Sequence, residues 1–154
     1  MRLFVLVIII FSSFQTFACD CGWGGDFFTT SQKTDLVVKV IVTKKIKDTT
    51  DLNIKMEVEI LQVFKGKESS KKIIVWGDNG AECRPYIDYF SIGKYYYLSL
   101  YKYGNEYEQL NCGEMYLEIK ENKVIGETNV RKELPQIGEM TVNEFENKLK
   151  EIKQ

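Results

Sequence analysis

Apolar and polar residues alternate along most of the middle of the chain. From Leu36 to Val42 every even position is apolar: Leu36, Val38, Val40 and Val42. From Ile54 to Ile60 the alternation is cleaner, with Ile54, Met56, Val58 and Ile60 set against Lys55, Glu57 and Glu59. A period of two with one wet face is that of a half-buried strand. The phase slips at Gln62, where Leu61 and Val63 take over, and this predicts a bulge or a strong coil there. Lys71 to Trp76 reads as a third strand, closed by turn chemistry at Asp78-Asn79-Gly80. Tyr95 to Tyr103 is a tyrosine-rich fourth strand. Gly104-Asn105 can join it by a two-residue hairpin to Glu106–Leu110. Met115 to Lys120 and Lys123 to Ile125 form a last pair around Glu121-Asn122. Five or six strands, many of them antiparallel neighbours, predict a barrel or a sandwich.

Two helices flank the strands. The first is expected from Asp26 toward Lys33, although Thr29, Thr30 and Ser31 form helix poorly. The second spans about 141–152. Thr141 and Glu144 make a capping-box pattern, and Phe145, Leu149 and Ile152 fall on one face, which should pack against the strands.

The N-terminus changes the setting of this domain. Arg2 precedes an unbroken apolar run from Leu3 to Phe11, then polar residues, then Ala18 at the expected cleavage position. That is the pattern of a signal peptide over 1–18, and the run is too short to span a bilayer as a helix. A single domain over 19–154 should follow, exported to a secreted, periplasmic or cell-surface location, with no transmembrane segment. Removing the leader removes Arg2, so lysine plus arginine falls from 21 to 20 against 22 acidic residues. The electrostatic footprint of a nucleic-acid or anionic-lipid binder is missing.

Histidine is absent from the sequence. That excludes triads with an imidazole base and histidine-ligated catalytic zinc. The carboxylates always permit an acid–base pair, but no spacing singles one out. The expectation is a protein that is not an enzyme, with no catalytic residue, cofactor or metal of its own.

All four cysteines, 19, 21, 83 and 112, follow the expected cleavage point. In an exported chain an even number reads as two disulfides. A four-thiolate zinc site would offer two close pairs, and only Cys19 and Cys21 are close. Those two rarely bond each other, because the loop between them is too small for relaxed geometry. Each should therefore reach Cys83 or Cys112, pinning an N-terminus that would otherwise fray. A lipid on Cys19 is the other fate of a cysteine after a signal peptide. Thr16-Phe17-Ala18 is a poor lead-in for it, and acylation would orphan one partner cysteine. Trp23, among Gly22, Gly24 and Gly25, either covers the disulfides or offers an exposed contact.

The order of these elements resembles the netrin-like modules, most closely the inhibitory domain of tissue inhibitors of metalloproteinases. The shared features are an N-terminal Cys19-Asp20-Cys21, a helix, and Asp35-Leu36-Val37-Val38 opening a strand. Phe64-Lys65-Gly66 closes the next, Cys83 follows the third, and Gly93–Leu98 reads Gly-Lys-Tyr-Tyr-Tyr-Leu. Asn111-Cys112-Gly113 comes after the following hairpin strand. The resemblance covers about residues 19–125. It implies a mainly β fold, a five-stranded OB-type closed barrel with flanking helices, with disulfides Cys19–Cys83 and Cys21–Cys112. It also implies a protein partner, a zinc metalloprotease. The α-amino group and carbonyl oxygen of Cys19 would chelate the enzyme's zinc, and the Asp20 side chain would enter its substrate pocket. An α-amino group titrates near pH 7.7–8.0, so a neutral amine is accessible. The sequence departs from that family at Asp20, a carboxylate where such pockets are often apolar. It also lacks the third disulfide and the second, cysteine-rich domain. A netrin-like protein-binding module without protease inhibition is the alternative.

Six tyrosines, 95, 96, 97, 101, 103 and 107, suggest either a stacking platform or, as expected of strands, barrel packing.

Overall fold

The computed structural model describes residues 22–126 and 139–151. The expected leader, Cys19-Asp20-Cys21 and Ile152 lie outside these residues. In chain order come helix α1 (Phe27–Ser31) and strands β1 (Leu36–Lys47), β2 (Asn53–Lys65) and β3 (Lys72–Trp76). A 3-10 turn (Ile87–Tyr89) precedes β4 (Tyr95–Tyr103), β5 (Glu106–Glu108), β6 (Tyr116–Lys120), β7 (Lys123–Ile125) and β8 (Met140–Thr141), and helix α2 (Val142–Glu151) follows.

The strands pair in the order β1-β2-β3-β5-β4, and β4 returns to β1, closing a five-stranded barrel. The β3–β5 pair is parallel and the other pairs are antiparallel. This is an OB-like barrel, the closed member of the two architectures that the alternation allows. On one side β4 carries two partners in succession. Tyr101–Tyr103 pair with β5, and Tyr95–Leu98 pair with β6. Residues 109–115 are therefore an excursion between two strands that line the same edge of β4. β6 then continues away from the barrel into β7 and β8.

The barrel curls because β2 is bulged. Lys39 pairs with Gln62 and Val40 with Ile60, which leaves Leu61 unopposed. Val37 pairs with Lys65 and Val38 with Val63, which leaves Phe64 unopposed. These irregularities stand where the hydrophobic phase slips, and bulges of this kind sharpen strand twist. The slip does not carry Leu61 inward as the alternation predicts. Its side chain is exposed, while Val63 packs on the barrel interior and Phe64 is buried on the outer side.

Burial follows the two faces of the sheet. Leu36, Val38, Val40, Val42, Met56, Val58, Leu98 and Leu100 fill the barrel with Ile87 and Phe90. Outside, Phe27, Val37, Phe64, Tyr97, Leu117 and Val124 meet Val142, Phe145 and Leu149 of α2. Phe145 is fully buried, its ring 4.5 Å from Tyr97 and 5.5 Å from Phe27. The face of α2 read from the sequence thus packs on the barrel through Phe145 and Leu149. The capping box forms as expected: the Thr141 N–H donates to Glu144 Oε2 at 2.9 Å, and the Glu144 N–H donates to Thr141 Oγ1 at 3.3 Å.

Helix α1 stops at Ser31, short of the expected Lys33, with Asp26 as its N-cap rather than its first residue. The Asp26 carboxylate accepts from the Thr29 N–H at 2.8 Å. Beyond the helix, the Lys65 ammonium donates to the carbonyls of Ser31, Gln32 and Thr34 at 3.0, 2.8 and 2.6 Å. It thereby holds the turn that ends the helix. Gly66 has φ +85°, and a Cβ there would lie 2.3 Å from the Asp35 carbonyl oxygen. The three residues of Phe64-Lys65-Gly66 therefore serve the packing in different ways. Phe64 fills the outer core, Lys65 caps a helix, and Gly66 lets two backbones touch.

The tyrosines form no platform. Tyr96 and Tyr107 belong to the barrel core, Tyr97 lies beneath α2, and Tyr103 rests edge-on against Trp76 at 5.6 Å. Alternation along β4 sends neighbouring rings to opposite faces. Among the described residues no helix is long and apolar enough to cross a membrane.

Candidate functional site

The site that the sequence singles out begins at Cys19, Asp20 and Cys21, which lie outside the described residues. The chain is described from Gly22, and its path from there is closely constrained. Gly24 lies flat on the excursion between β5 and β6. A Cβ on Gly24 would stand 2.0 Å from the Cys112 carbonyl oxygen and 3.2 Å from its carbon. The next residue continues the contact: the Glu114 N–H donates to the Gly25 carbonyl at 3.0 Å. Thr30 Oγ1, at the far end of α1, donates to the Glu114 carbonyl at 2.6 Å. The segment after the Cys-x-Cys motif is thus zipped onto Cys112–Glu114 by backbone contact.

The other cysteine loop meets the same place. The Asn111 N–H donates to the Cys83 carbonyl at 2.7 Å, joining residues 77–86 to residues 109–115. Asp78 shapes the start of this loop by accepting from the N–H groups of Gly80 and Glu82 at 2.7 and 3.1 Å. Arg84 fixes its end. The buried guanidinium pairs with Glu82 and with Glu108 of β5, the latter through Nε at 2.9 Å, and lies 4.8 Å from the Tyr103 ring centre. Burial opposes its charge, but the hydrogen bond and attraction of Glu108 outweigh that and hold its pKa above the ordinary arginine value. Trp76 stands beside it, with Lys55 Nζ 3.7 Å over the ring and Nε1 donating to Glu106.

Three segments therefore converge at one corner of the barrel: the chain following Cys21, the loop bearing Cys83 and the loop bearing Cys112. Three Cα-to-Cα steps separate Cys21 from Gly24, a reach of at most about 11 Å. A disulfide needs Cα atoms about 4.4–6.8 Å apart, so the tether is compatible with a bond from Cys21 to Cys112. No cysteine among the described residues is free. Trp23, next to Gly24, is 41% exposed.

Sequence reasoning does not find Gln109 or Arg84. The alternation places Gln109 inside a strand running to Leu110. Instead β5 ends at Glu108, because the Gln109 side chain turns inward, fully buried, and donates to the Met115 carbonyl at 2.7 Å. That bond spans the base of the excursion and holds it open for the N-terminal segment. An arginine next to a cysteine carries no pattern that announces burial. Among the described residues no group of three or more acidic or cysteine side chains is gathered as a metal site. No family model matches the chain, and no curated protein matches it either.

Proposed function

We propose that this chain is an exported inhibitor of zinc metalloproteases, similar in kind to the inhibitory domain of the tissue inhibitors of metalloproteinases. Cys19 is its zinc chelator, and Asp20 is the residue offered to the substrate pocket. Disulfides Cys19–Cys83 and Cys21–Cys112 belong to the same proposal. The observation that carries it is the seating of Gly24 and Gly25 on Cys112–Glu114. A chelator works only when its position is set in advance, because a rigid group loses little entropy on binding. A catalytic zinc keeps one position open for such a ligand.

The test is the addition of one alanine before Cys19. It displaces the α-amine by about 3.8 Å along the chain and leaves the barrel intact. Inhibition of a susceptible zinc protease should collapse in the extended protein. Asp20→Ser should strengthen it, since a small hydroxyl is cheaper to bury than an unpaired carboxylate. Inhibition that persists unchanged after the extension would refute chelation.

A netrin-like protein-binding module without protease inhibition is the second reading, and the exposed Trp23 favours it. Tryptophan is enriched among residues that dominate protein interfaces. The added alanine leaves Trp23 in place, so a partner captured equally well by the extended protein, but lost on Trp23→Ala, would favour this reading.

A further inference from the structure

On the β6–β7 side of the sheet lies a second recess. In the β4–β6 register Tyr96 faces Glu118 and Leu98 faces Tyr116, and in the β6–β7 register Glu118 faces Ile125. Residues directly opposite share a face, as do residues two apart along a strand. Tyr96, Tyr116, Glu118 and Ile125 therefore project to one side. That side is the barrel interior for Tyr96 and Leu98, but β6 has left the barrel, so its own side chains face a gap. Tyr89 of the 3-10 turn closes the gap from across. The result is a cavity of about 190 Å³ lined by Tyr89, Tyr96, Tyr116, Glu118, Ile125 and Gly126.

The rings are held in place. Phe90, fully buried, lies 5.3 Å from Tyr96 and 4.7 Å from Tyr116, centre to centre. The Tyr96 hydroxyl accepts from the Ser91 N–H at 2.9 Å. Into this aromatic recess β6 delivers one carboxylate, half-buried Glu118. No hydrogen bond or ion pair engages it among the described residues, in contrast to Glu57, Glu106 and Glu108 of the barrel strands and Glu146 of α2, which all have cationic partners.

We propose that this recess binds an alkylated ammonium headgroup. Three aromatic rings line the recess, and the best-attested ligand of an aromatic cage is a quaternary or alkylated ammonium. Glu118 supplies the counter-charge, and a cation offsets the cost of keeping that carboxylate half-buried without a partner. An anion would be repelled by it, and a neutral sugar could hydrogen-bond to it but would leave its charge unbalanced. The size agrees. Pockets for drug-sized ligands start at about 300 Å³, so this one takes a single headgroup rather than an extended molecule.

Choline and its uncharged isostere 3,3-dimethylbutan-1-ol, equal in shape, separate this proposal from simple apolar burial. Each is titrated into the oxidised protein while the tyrosine ring resonances are followed. Choline should saturate, moving the resonances of Tyr89, Tyr96 and Tyr116, and the isostere should bind at least about tenfold more weakly. Glu118→Gln and Tyr89→Leu should each weaken choline by about tenfold. Both variants should fold normally, because Tyr89 is 57% exposed and Glu118 gives up no partner. A third titrant, acetylated trimethyl-lysine amide, identifies the source: tighter binding than choline assigns a methylated protein side chain, weaker binding a free small cation. Equal affinity for choline and its isostere, no saturation by either cation, or an unchanged affinity in Glu118→Gln would overturn the proposal.

Discussion

Adding one methyl group at Gly24 should unseat the N-terminal segment while leaving the barrel closed. The Cβ of Gly24→Ala would meet the Cys112 carbonyl oxygen at 2.0 Å, its carbon at 3.2 Å and Gly113 Cα at 3.7 Å. All three are backbone atoms, so no side chain can swing aside. Ordinary contact requires the two segments to part by more than about 1 Å, which stretches the 3.0 Å bond between Glu114 N–H and the Gly25 carbonyl past hydrogen-bonding range. Overpacking of this kind costs about 1–3 kcal/mol, and the lost hydrogen bond adds about 1 kcal/mol. The expected loss is therefore about 2–4 kcal/mol. Gly22→Ala is the control, since nothing lies within 4 Å of its Cβ, and it should stay within about 0.5 kcal/mol of the parent. Urea unfolding of the oxidised proteins reads the difference, with non-reducing peptide mapping run beside it. The parent should yield Cys19–Cys83 and Cys21–Cys112. Gly24→Ala should lose Cys21–Cys112 first, because the proposed bond ends at Cys112, the residue Gly24 lies against. Equal urea midpoints for Gly24→Ala and Gly22→Ala would refute the reasoning, and the crossed pairing in the parent would remove the proposed staple.

Two further outcomes concern the outer core. Phe145→Ala removes a fully buried ring that lies 4.5 Å from Tyr97 and 5.1 Å from Phe28, and it should cost about 3–5 kcal/mol in urea unfolding; a loss below about 1 kcal/mol would mean that α2 is not docked as described. Glu146 couples that docking to pH. Burial pushes its carboxyl up, but hydrogen bonds from Lys39 at 2.9 Å and the Tyr97 hydroxyl at 2.7 Å pull it below the ordinary value of 4.5. A depressed carboxyl stabilises fully above its unfolded value, and that stabilisation fades as pH falls through the folded one. The stability gap between the parent and Glu146→Gln should therefore be widest near neutrality and shrink below pH 4.5. A gap that stays constant from neutrality down to about pH 3 would contradict this assignment.

The fold was legible wherever one face of an element was buried and the other wet. Leu36, Val38, Val40 and Val42 read as one face of a strand because the barrel interior accepts nothing polar at those positions. Thr141 and Glu144 announced α2 because a capping box is a local device, settled within one turn of helix. The bulge near Gln62 was visible as a broken phase, but the fate of Leu61 was not. A bulge frees a residue from the alternation, and the surrounding packing decides where it points. Gln109 misleads for a different reason. Its neighbours continue a plausible strand, and only the distant Met115 carbonyl turns it inward. β8 is two residues long and exists through Lys123 and Val124 opposite it, so no local pattern records it.

The cysteine corner follows the same logic. Most of its joins are between backbones: Gly25 carbonyl to Glu114 N–H, Cys83 carbonyl to Asn111 N–H, Gly24 against Cys112. A backbone join constrains side chains only where one would intrude. This is why the motif there consists of cysteines and glycines with little else in common between them. Arg84 and Gln109 then act from behind, one anchoring the Cys83 loop to β5 and the other bridging the base of the Cys112 loop. On the proposed function, the partner-facing positions would be Asp20 and Trp23, while the described scaffold is held by a few residues of fixed type. If that proposal holds, a change of target would act through those two positions, whereas a single methyl on Gly24 reaches the scaffold itself.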